Sequence, residues 1–143
     1  MKDRNVQRNE MHLEDPWRVF RIMSEFVDGF ETLRKAVSIF GSARDDTAAK
    51  YFSAAEETAK LFTESGYAVI TGGGDGMMKA ANKGATEAGG DSIGLTITIP
   101  MEQQVNEFVN LPLQFKYFFV RKLMFAKYSK AFIVFPGGLG TLD

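Results

Sequence analysis

The residues of this chain best suited to chemistry lie in three glycine-rich stretches, residues 41–44, 72–76 and 136–141, each directly after a short apolar run. Glycine lets a backbone turn tightly and expose its N–H groups, and the first N–H groups of a helix have no partner within the helix. A strand, a glycine turn and a helix start therefore form a cradle for an anion, most often phosphate. A plain strand-to-helix turn is the simpler interpretation, but three glycines between Pro136 and Thr141 exceed its needs.

Composition excludes several other classes of function. Seventeen basic and eighteen acidic residues leave a net charge of −1, which gives no electrostatic attraction to a nucleic acid or to a membrane surface. The chain has no cysteine and a single histidine, His12. Disulfides and thiolate metal sites are therefore excluded, and a histidine-based triad or a histidine-rich metal site is disfavoured. We expect no nucleic-acid or membrane partner, and a cytoplasmic location as the default for a chain without cysteine.

The N-terminal part divides into a polar tail, residues 1–14, and the start of a single domain, residues 15–143. The domain is predicted to open with an amphipathic helix that runs to about Lys35. An Asp-Pro pair suits a helix start, and apolar residues then recur every three or four positions. The aromatic stripe of this helix either covers the core or also meets a second subunit, and the sequence does not separate these alternatives.

Strands and helices alternate after this first helix. The predicted strands are residues 36–40, 67–71, 92–99 and 131–135, and the predicted helices are residues 47–65, 77–88 and 115–129. Alternation of this kind predicts an α/β fold with a parallel sheet, here of about four strands, and right-handed crossovers. With the strand order 3-2-1-4, the first and last glycine loops flank the switch point, and all three loops line one pocket.

Two of these elements are expected to be buried and one segment to be irregular. The run at 131–135 fits a strand buried on both faces, and the helix at 117–128 is apolar almost all round. Residues 101–114 are polar and read as a long loop, which is either functional or a plain surface excursion.

Two common nucleotide-binding motifs fail in this sequence. A GxGxxG pattern would need its third glycine where the chain has Met77 or Lys79, and no acidic residue follows at the distance that a ribose requires. A P-loop fails because Thr141 follows Gly140 without an intervening lysine. A nucleoside monophosphate or another ligand with a single phosphate therefore fits better than NAD or a nucleoside triphosphate.

The predicted helix at 117–128 carries two cations, Arg121 and Lys122, among apolar residues. Neighbouring residues on a helix point about 100° apart, so the two are not expected to face the same target. A buried guanidinium needs an anionic partner, which is either a ligand phosphate or a carboxylate of its own chain. A ligand is favoured for Arg121 because a planar bidentate donor suits phosphate, while Lys122 can extend to solvent.

Taken together, these stretches resemble the LOG ("lonely guy") family, long labelled as lysine decarboxylases. Its hallmarks are GGGxGxM, an RK pair and PGGxGTxxE, which correspond here to residues 72–78, Arg121-Lys122 and the PGGLGT of residues 136–141. The resemblance runs from about residue 36 to the end and includes the AANKGA segment at 80–85. Each glycine loop alone would be a weak signal, but the combination is specific.

The resemblance implies a Rossmann-like, doubly wound fold that is usually dimeric. It also implies a phosphoribohydrolase that splits nucleoside 5′-monophosphates, including AMP and cytokinin ribotides, into the free base and ribose 5-phosphate, without a metal or redox cofactor. Arg121, the arginine of the RK pair, is then catalytic. The implied substrate-binding residues are Ser42, Arg44, Gly73, Gly74, Gly76, Met78, Asn82, Lys122, Gly137, Gly138, Gly140 and Thr141.

The family's second catalytic residue, the glutamate of PGGxGTxxE, would be residue 144, directly after Asp143. A carboxylate is what stabilises or traps an oxocarbenium-like state, and Asp143 is one position too early to point the same way. We therefore expect the chain to be cut from a longer protein after the PGGxGT motif, and to be inactive by itself.

Two other functions stay open at this point. One is a non-catalytic module that binds a nucleotide or the molybdenum cofactor on the same fold. The other is an interaction protein that assembles through its N-terminal aromatic helix. Lysine decarboxylation is disfavoured because nothing in the sequence marks a lysine for a pyridoxal Schiff base.

Overall fold

The structure is a computed structural model that describes residues 17–18, 20–24, 35–44, 49–98 and 104–142. The chain divides into two compact units, residues 1–32 and residues 33–143. In the first unit the described residues are helical, in agreement with the predicted N-terminal helix. The polar tail and both ends of that helix lie outside the described residues, and the division of the chain at residue 15 stays a prediction.

The second unit is an α/β domain built on a parallel sheet. Its elements are β1 Ala36–Phe40, a 3-10 turn Ala49–Tyr51, α1 Phe52–Glu64, β2 Ala68–Thr71, α2 Met77–Glu87, β3 Ser92–Ile97, β4 Leu111–Phe115, α3 Phe118–Tyr128, β5 Ser129–Val134 and α4 Leu139–Leu142. The strands lie in the order β4-β3-β2-β1-β5, and every neighbouring pair is parallel. The predicted fold class is confirmed. The four predicted strands have the order 3-2-1-4, which is the order assumed for the pocket argument.

The core lies between the sheet and the helix pair α1 and α2. Val37 and Ile39 of β1 alternate on this face of the sheet and are almost completely buried. The two helices contribute small buried side chains, among them Ala59 and Ala85, which allow a close approach to the sheet. The helices also approach each other closely, since a Cβ at Gly84 would lie 2.8 Å from the carbonyl carbon of Glu56.

The opposite face of the sheet is only partly covered, which corrects two predictions of burial. Helix α3 packs there against β1, β3 and β4, with Phe125 5.1 Å from Phe40 between ring centroids. It does not extend over β5, so Phe132 and Val134 are 51% and 52% exposed. The predicted strand at 131–135 is therefore partly buried on one face and exposed on the other, not buried on both. Helix α3 in turn leaves Phe118 about half exposed, so it is not buried all round.

The prediction of a loop at 101–114 was also wrong in part, because the segment contains the start of strand β4. This strand pairs with β3 at the edge of the sheet, where Pro112 lies opposite Gly94. Proline cannot donate to a ladder, and it is tolerated on an edge strand whose second side has no partner. The polar sequence before β4 concealed a strand of five residues.

None of the helices in the described part of the chain is both long and apolar enough to cross a membrane.

Candidate functional site

The three glycine loops meet at Ser42, in the loop after β1. The Ser42 N–H donates to the carbonyl of Pro136 at 3.2 Å, and the Ser42 carbonyl accepts from the N–H of Met77 at 2.9 Å. The Ser42 hydroxyl also accepts from the N–H of Arg44 at 3.0 Å. Because β1 lies between β2 and β5, its loop is the one that can bond to both of the others.

Two glycines allow this close approach. Gly76 begins helix α2 with a φ of 65°, and a Cβ there would lie 2.5 Å from the Ser42 carbonyl oxygen and 2.8 Å from the carbonyl carbon of Ala43. A Cβ at Gly41 would lie 2.7 Å from the Cβ of Met77. Any larger residue at these positions would separate the loop after β1 from the start of α2.

A cavity of about 1030 Å³ opens beside this junction, at the carboxyl ends of β1 and β5. Helix α3 forms its second wall with Phe118, Arg121, Lys122 and Phe125. This is the position at which open parallel sheets bind ligands. The volume is at the upper end of the range for small-molecule sites.

Most of the predicted site residues line this cavity. Those that do are Ser42, Arg44, Met78, Arg121, Lys122, Gly137, Gly138, Gly140 and Thr141. Gly73, Gly74, Gly76 and Asn82 do not belong to its lining. A direct role of any of these residues in ligand binding stays a prediction.

The residues outside the lining are engaged within the chain. The N–H of Gly73 donates to the Thr71 hydroxyl at 2.9 Å, and the Gly73 carbonyl accepts from the N–H of Asn106 at 2.9 Å. The carboxamide of Asn82 is fully buried, and its oxygen accepts from Thr71 at 2.6 Å. The middle of the glycine-rich turn after β2 is therefore hydrogen-bonded to residues that do not line the cavity.

Arg121 reaches across the end of the sheet. Its Nε donates to the carbonyl of Leu95 on β3 at 2.7 Å. Its Nη2 lies 2.8 Å from the point where a Cβ on Gly72 would be, so a larger residue there would displace the guanidinium from this position. The rings of Phe125 and Phe118 flank it at 5.4 and 6.0 Å, within the range of a cation–π contact.

The charge of Arg121 is not matched by a carboxylate in the described part of the chain, where its polar contact is the Leu95 carbonyl. Burial lowers the pKa of the guanidinium below its usual value, but arginine stays protonated in proteins. Lys122 and Arg44 also line the cavity, and no acidic residue does so among the described residues. The described part of the lining is therefore cationic in a chain that is close to neutral.

Lys122 differs from expectation, because it lines the same cavity as Arg121. Its side chain is exposed and its Nζ lies 4.8 Å from the centroid of the Phe118 ring. The two cations thus line the same cavity at different depths. Arg121 is half-buried at the sheet, while Lys122 lies at the solvent-exposed rim.

The glycines after β5 are not all explained by packing. A Cβ at Gly138 or at Gly140 would meet no atom within 4 Å, and neither residue has a positive φ. Both line the cavity. Gly137 is different, since a Cβ there would lie 2.9 Å from the backbone nitrogen of Ser42. Two glycines therefore leave open space at the cavity, where a ligand can come close to the backbone.

Sequence reasoning missed Gly72 and the apolar wall. The apolar lining residues are Phe40, Phe118, Phe125, Ala126, Phe132, Val134 and Leu139. A signal for part of this wall existed, because Phe118, Arg121, Lys122 and Phe125 recur at helical spacing and share a face of α3. The Leu95 carbonyl had no signal, since a backbone acceptor is independent of residue type.

Comparisons with known proteins agree with this fold. A family model described as "Possible lysine decarboxylase" matches residues 78–143. The probable cytokinin riboside 5′-monophosphate phosphoribohydrolase LOG6 of Arabidopsis thaliana is 31% identical over 111 residues. These residues are 76% of this chain and 55% of the plant protein. The chain thus spans little more than half the length of this relative.

Solved structures of molybdenum cofactor proteins are also similar. The carrier protein of Chlamydomonas reinhardtii has a TM-score of 0.66 and 28% identity, over 76% of this chain and 66% of that one. The molybdenum cofactor binding protein of the phototrophic bacterium Rippkaea orientalis has a TM-score of 0.62 and 24% identity, over 78% and 68%. The second likeness concerns the fold alone.

The junction of the loops can be tested with two alanine substitutions at glycines of positive φ. Gly66 has a φ of 82° and open space around it, whereas Gly76 is crowded by the Ser42 backbone. Gly66→Ala is expected to cost about 1 kcal/mol from backbone strain alone. Gly76→Ala is expected to cost about 3 kcal/mol, because strain and a backbone clash add. Urea unfolding measures both, and equal losses would contradict the close approach.

Proposed function

Since the chain belongs to the LOG-like family, we propose that the protein containing it is a phosphoribohydrolase of nucleoside 5′-monophosphates. In this reaction water adds to the ribose C1′, the N-glycosidic bond breaks, and the base leaves with a proton. The products are a free base and ribose 5-phosphate. AMP and cytokinin ribotides are the proposed substrates. The observation that carries the proposal is the Arg121 guanidinium, which faces a cavity without a carboxylate partner among the described residues.

The phosphate of the substrate is the natural partner for this charge. Arg121, Lys122 and Arg44 supply three cations around one cavity, and a phosphate monoester carries about two negative charges at neutral pH. Gly138 and Gly140 have space in front of their backbones, which suits an oxyanion that needs a close approach. Both features favour a phosphate ligand over a neutral one.

The apolar wall provides a place for the base. Phe118 and Phe132 are about half exposed, and both line the cavity. Aromatic rings offer stacking surfaces for a purine, and they tolerate apolar substituents on it. The Phe118 ring lies beside Arg121 and Lys122, so a nucleoside monophosphate would contact both cations and aromatic rings.

Cleavage requires more than binding. An oxocarbenium-like state at C1′ needs a carboxylate nearby, and the family pattern gives this role to the glutamate of PGGxGTxxE. Arg121 can orient the ribose phosphate and hold it against the glycine loop, which reduces the entropic part of the barrier. Its proposed catalytic role is therefore electrostatic and positional.

A non-catalytic binding module is the second candidate. It is favoured by the similarity to a molybdenum cofactor carrier at 28% identity, and the cavity volume suits a ligand larger than AMP. The two functions differ in one outcome, since a carrier returns its ligand unchanged whereas a hydrolase releases a free base.

We also propose that the protein is a cytoplasmic homodimer. Sedimentation velocity tests the oligomeric state, and a purely monomeric boundary would contradict the dimer.

Substitution of Arg121 tests whether its guanidinium binds the phosphate of the ligand. Arg121→Gln is expected to weaken AMP binding to the 143-residue chain by at least about tenfold, because a charge-assisted contact is worth about 1.5–3 kcal/mol. Isothermal titration measures this affinity. Lys127→Gln is the control, since it removes a charge from the same helix outside the cavity lining. Adenine release from AMP is assayed with the complete gene product, where Arg121→Gln is expected to abolish it.

Equal affinity of the two glutamine variants would count against a phosphate at Arg121. Binding of AMP without adenine release by the complete gene product, across a panel of monophosphates, would favour the carrier function instead.

The glycine loop after β5 allows a separate test. Gly138→Ala places a methyl group in open space, so stability is expected to be unchanged or to rise by up to about 1 kcal/mol, because the unfolded chain loses freedom. The same methyl group would stand between the backbone and a phosphate, so AMP affinity is expected to fall about tenfold. Thermal unfolding and titration are compared on one sample. Unchanged affinity would mean that the ligand does not approach this loop.

A further inference from the structure

The backbone of the glycine-rich turn after β2 is fixed by side chains that lie outside the cavity lining. The Thr71 hydroxyl accepts from the Gly73 N–H at 2.9 Å. Asn106 bonds to the next two carbonyls, with its N–H donating to Gly73 at 2.9 Å and its Nδ2 donating to Gly74 at 2.8 Å. Three backbone polar groups of Gly73 and Gly74 are thus engaged by two residues.

Asn82 joins these two residues. Its Oδ1 accepts from the Thr71 hydroxyl at 2.6 Å and from Nδ2 of Asn106 at 3.0 Å. Its Nδ2 donates to the Ser92 hydroxyl at 2.8 Å. Asn82, Thr71 and Ser92 are all completely buried. A buried network in which the polar groups are matched holds a unique geometry.

The segment that carries Asn106 is itself anchored at several points. The Thr86 hydroxyl donates to the carbonyl of Phe108 in a short hydrogen bond. The side chain of Asn110 donates to the Gly90 carbonyl at 2.9 Å and accepts from the Ser92 N–H at 2.9 Å. Residues 104–110 are therefore hydrogen-bonded to helix α2, to strand β3 and to the glycine turn.

The network reaches the cavity through Gly72. This residue lies between Thr71 and the engaged Gly73, and it borders the guanidinium of Arg121, whose Nη2 would be 2.8 Å from a Cβ at this position. The hydrogen bond of Arg121 goes to the carbonyl of Leu95. Leu95 is on β3, the strand whose first residue, Ser92, is bonded to Asn82. The Gly72 backbone and the Leu95 carbonyl are thus both connected to the same network, whereas the aromatic rings beside Arg121 are separate contacts.

We propose that Thr71, Asn82 and Asn106 are positioning residues that seat the Arg121 guanidinium at the cavity. They act through the Gly72–Gly74 backbone and do not touch the ligand. This role replaces direct substrate contact for Asn82, whose carboxamide is used within the core. The inference rests on the proposed function in one respect, because its effect on a ligand is measured with AMP.

A purely structural role would make a different prediction. If the network only stabilised the core, any loss of packing at Thr71 would have the same consequence for the site. If it positions Arg121, the hydroxyl matters and the methyl group does not. Threonine allows this separation, since valine keeps the shape and loses the hydroxyl, while serine keeps the hydroxyl and loses the methyl group.

The experiment compares Thr71→Val with Thr71→Ser. For each variant, thermal unfolding gives the stability, titration gives the AMP affinity, and NMR gives the Arg121 Nε–H resonance and the exchange rate of the Gly73 amide. Thr71→Val is expected to weaken AMP binding by about tenfold or more, since small misplacements at a site have large effects. It is also expected to shift the Arg121 resonance and to accelerate Gly73 exchange. Thr71→Ser is expected to keep all three near wild type.

A second pair covers the case in which Thr71→Val does not fold. Asn106→Ala removes the side-chain bonds to Gly74, Asn82 and the Phe108 N–H from a buried residue, keeps the backbone bond to Gly73, and is expected to act like Thr71→Val. Glu107→Gln breaks the neighbouring Lys79 ion pair, 3.0 Å long, and leaves the network intact. It is expected to change neither the affinity nor the resonances.

The outcomes separate this inference from the proposed function. Equal AMP affinities for the valine and serine variants, or for the Asn106 and Glu107 variants, would overturn the positioning role. If the wild-type chain does not bind AMP, the proposed function fails. The NMR readouts alone then decide whether the network positions Arg121. A shifted Arg121 resonance in Thr71→Val but not in Thr71→Ser then supports positioning, and unchanged resonances in both reject it.

Discussion

The loop after β1 is hydrogen-bonded to both neighbouring loops, and the geometry of the site depends on this arrangement. Ser42 contributes its N–H to the loop after β5 and its carbonyl to the start of α2. Such bonding is possible only for a strand in the middle of three, and only if the backbones come close. Gly41 and Gly76 provide that closeness, because a side chain on either would overlap a neighbouring segment. The cavity is a consequence of three strand ends being held at one point.

A second constraint comes from the charge of Arg121. Desolvation lowers the pKa of the guanidinium, and removing a charge from water is costly unless polar groups replace the water. The Leu95 carbonyl and two aromatic rings do so in part. An anion in the cavity would complete this compensation. The same burial that makes the charge of the guanidinium costly would therefore favour a phosphate ligand.

The glycine motifs contain residues with different physical roles. Gly76 is a glycine because of its φ and the Ser42 backbone, while a Cβ at Gly72 would meet the end of the Arg121 side chain. Gly138 and Gly140 have no such neighbours within the described chain. The glycines of the two motifs thus differ in what surrounds them. The turn after β2 is mainly engaged within the chain, and Gly138 and Gly140 after β5 have open space at the cavity.

The sequence alone determined the α/β class and the glycine loops that follow strands β1, β2 and β5. These follow from local patterns, because alternation of apolar runs and helices with glycine turns admits few parallel topologies. It also marked Arg121 as a cation that needs an anion. It failed for β4, where a polar stretch and Pro112 concealed an edge strand.

The tertiary structure decided which groups face the cavity. Asn82 and Gly73 carry the same motif signal as Gly138, but the fold turns them toward a buried network that includes Asn106, 24 residues further along the chain from Asn82. The seat of Arg121 on a backbone carbonyl, and the exposed face of β5, likewise depend on which elements pack together. Contacts between residues distant in the chain carry no local signal, so only the folded molecule distinguishes a residue that lines the site from one that supports it.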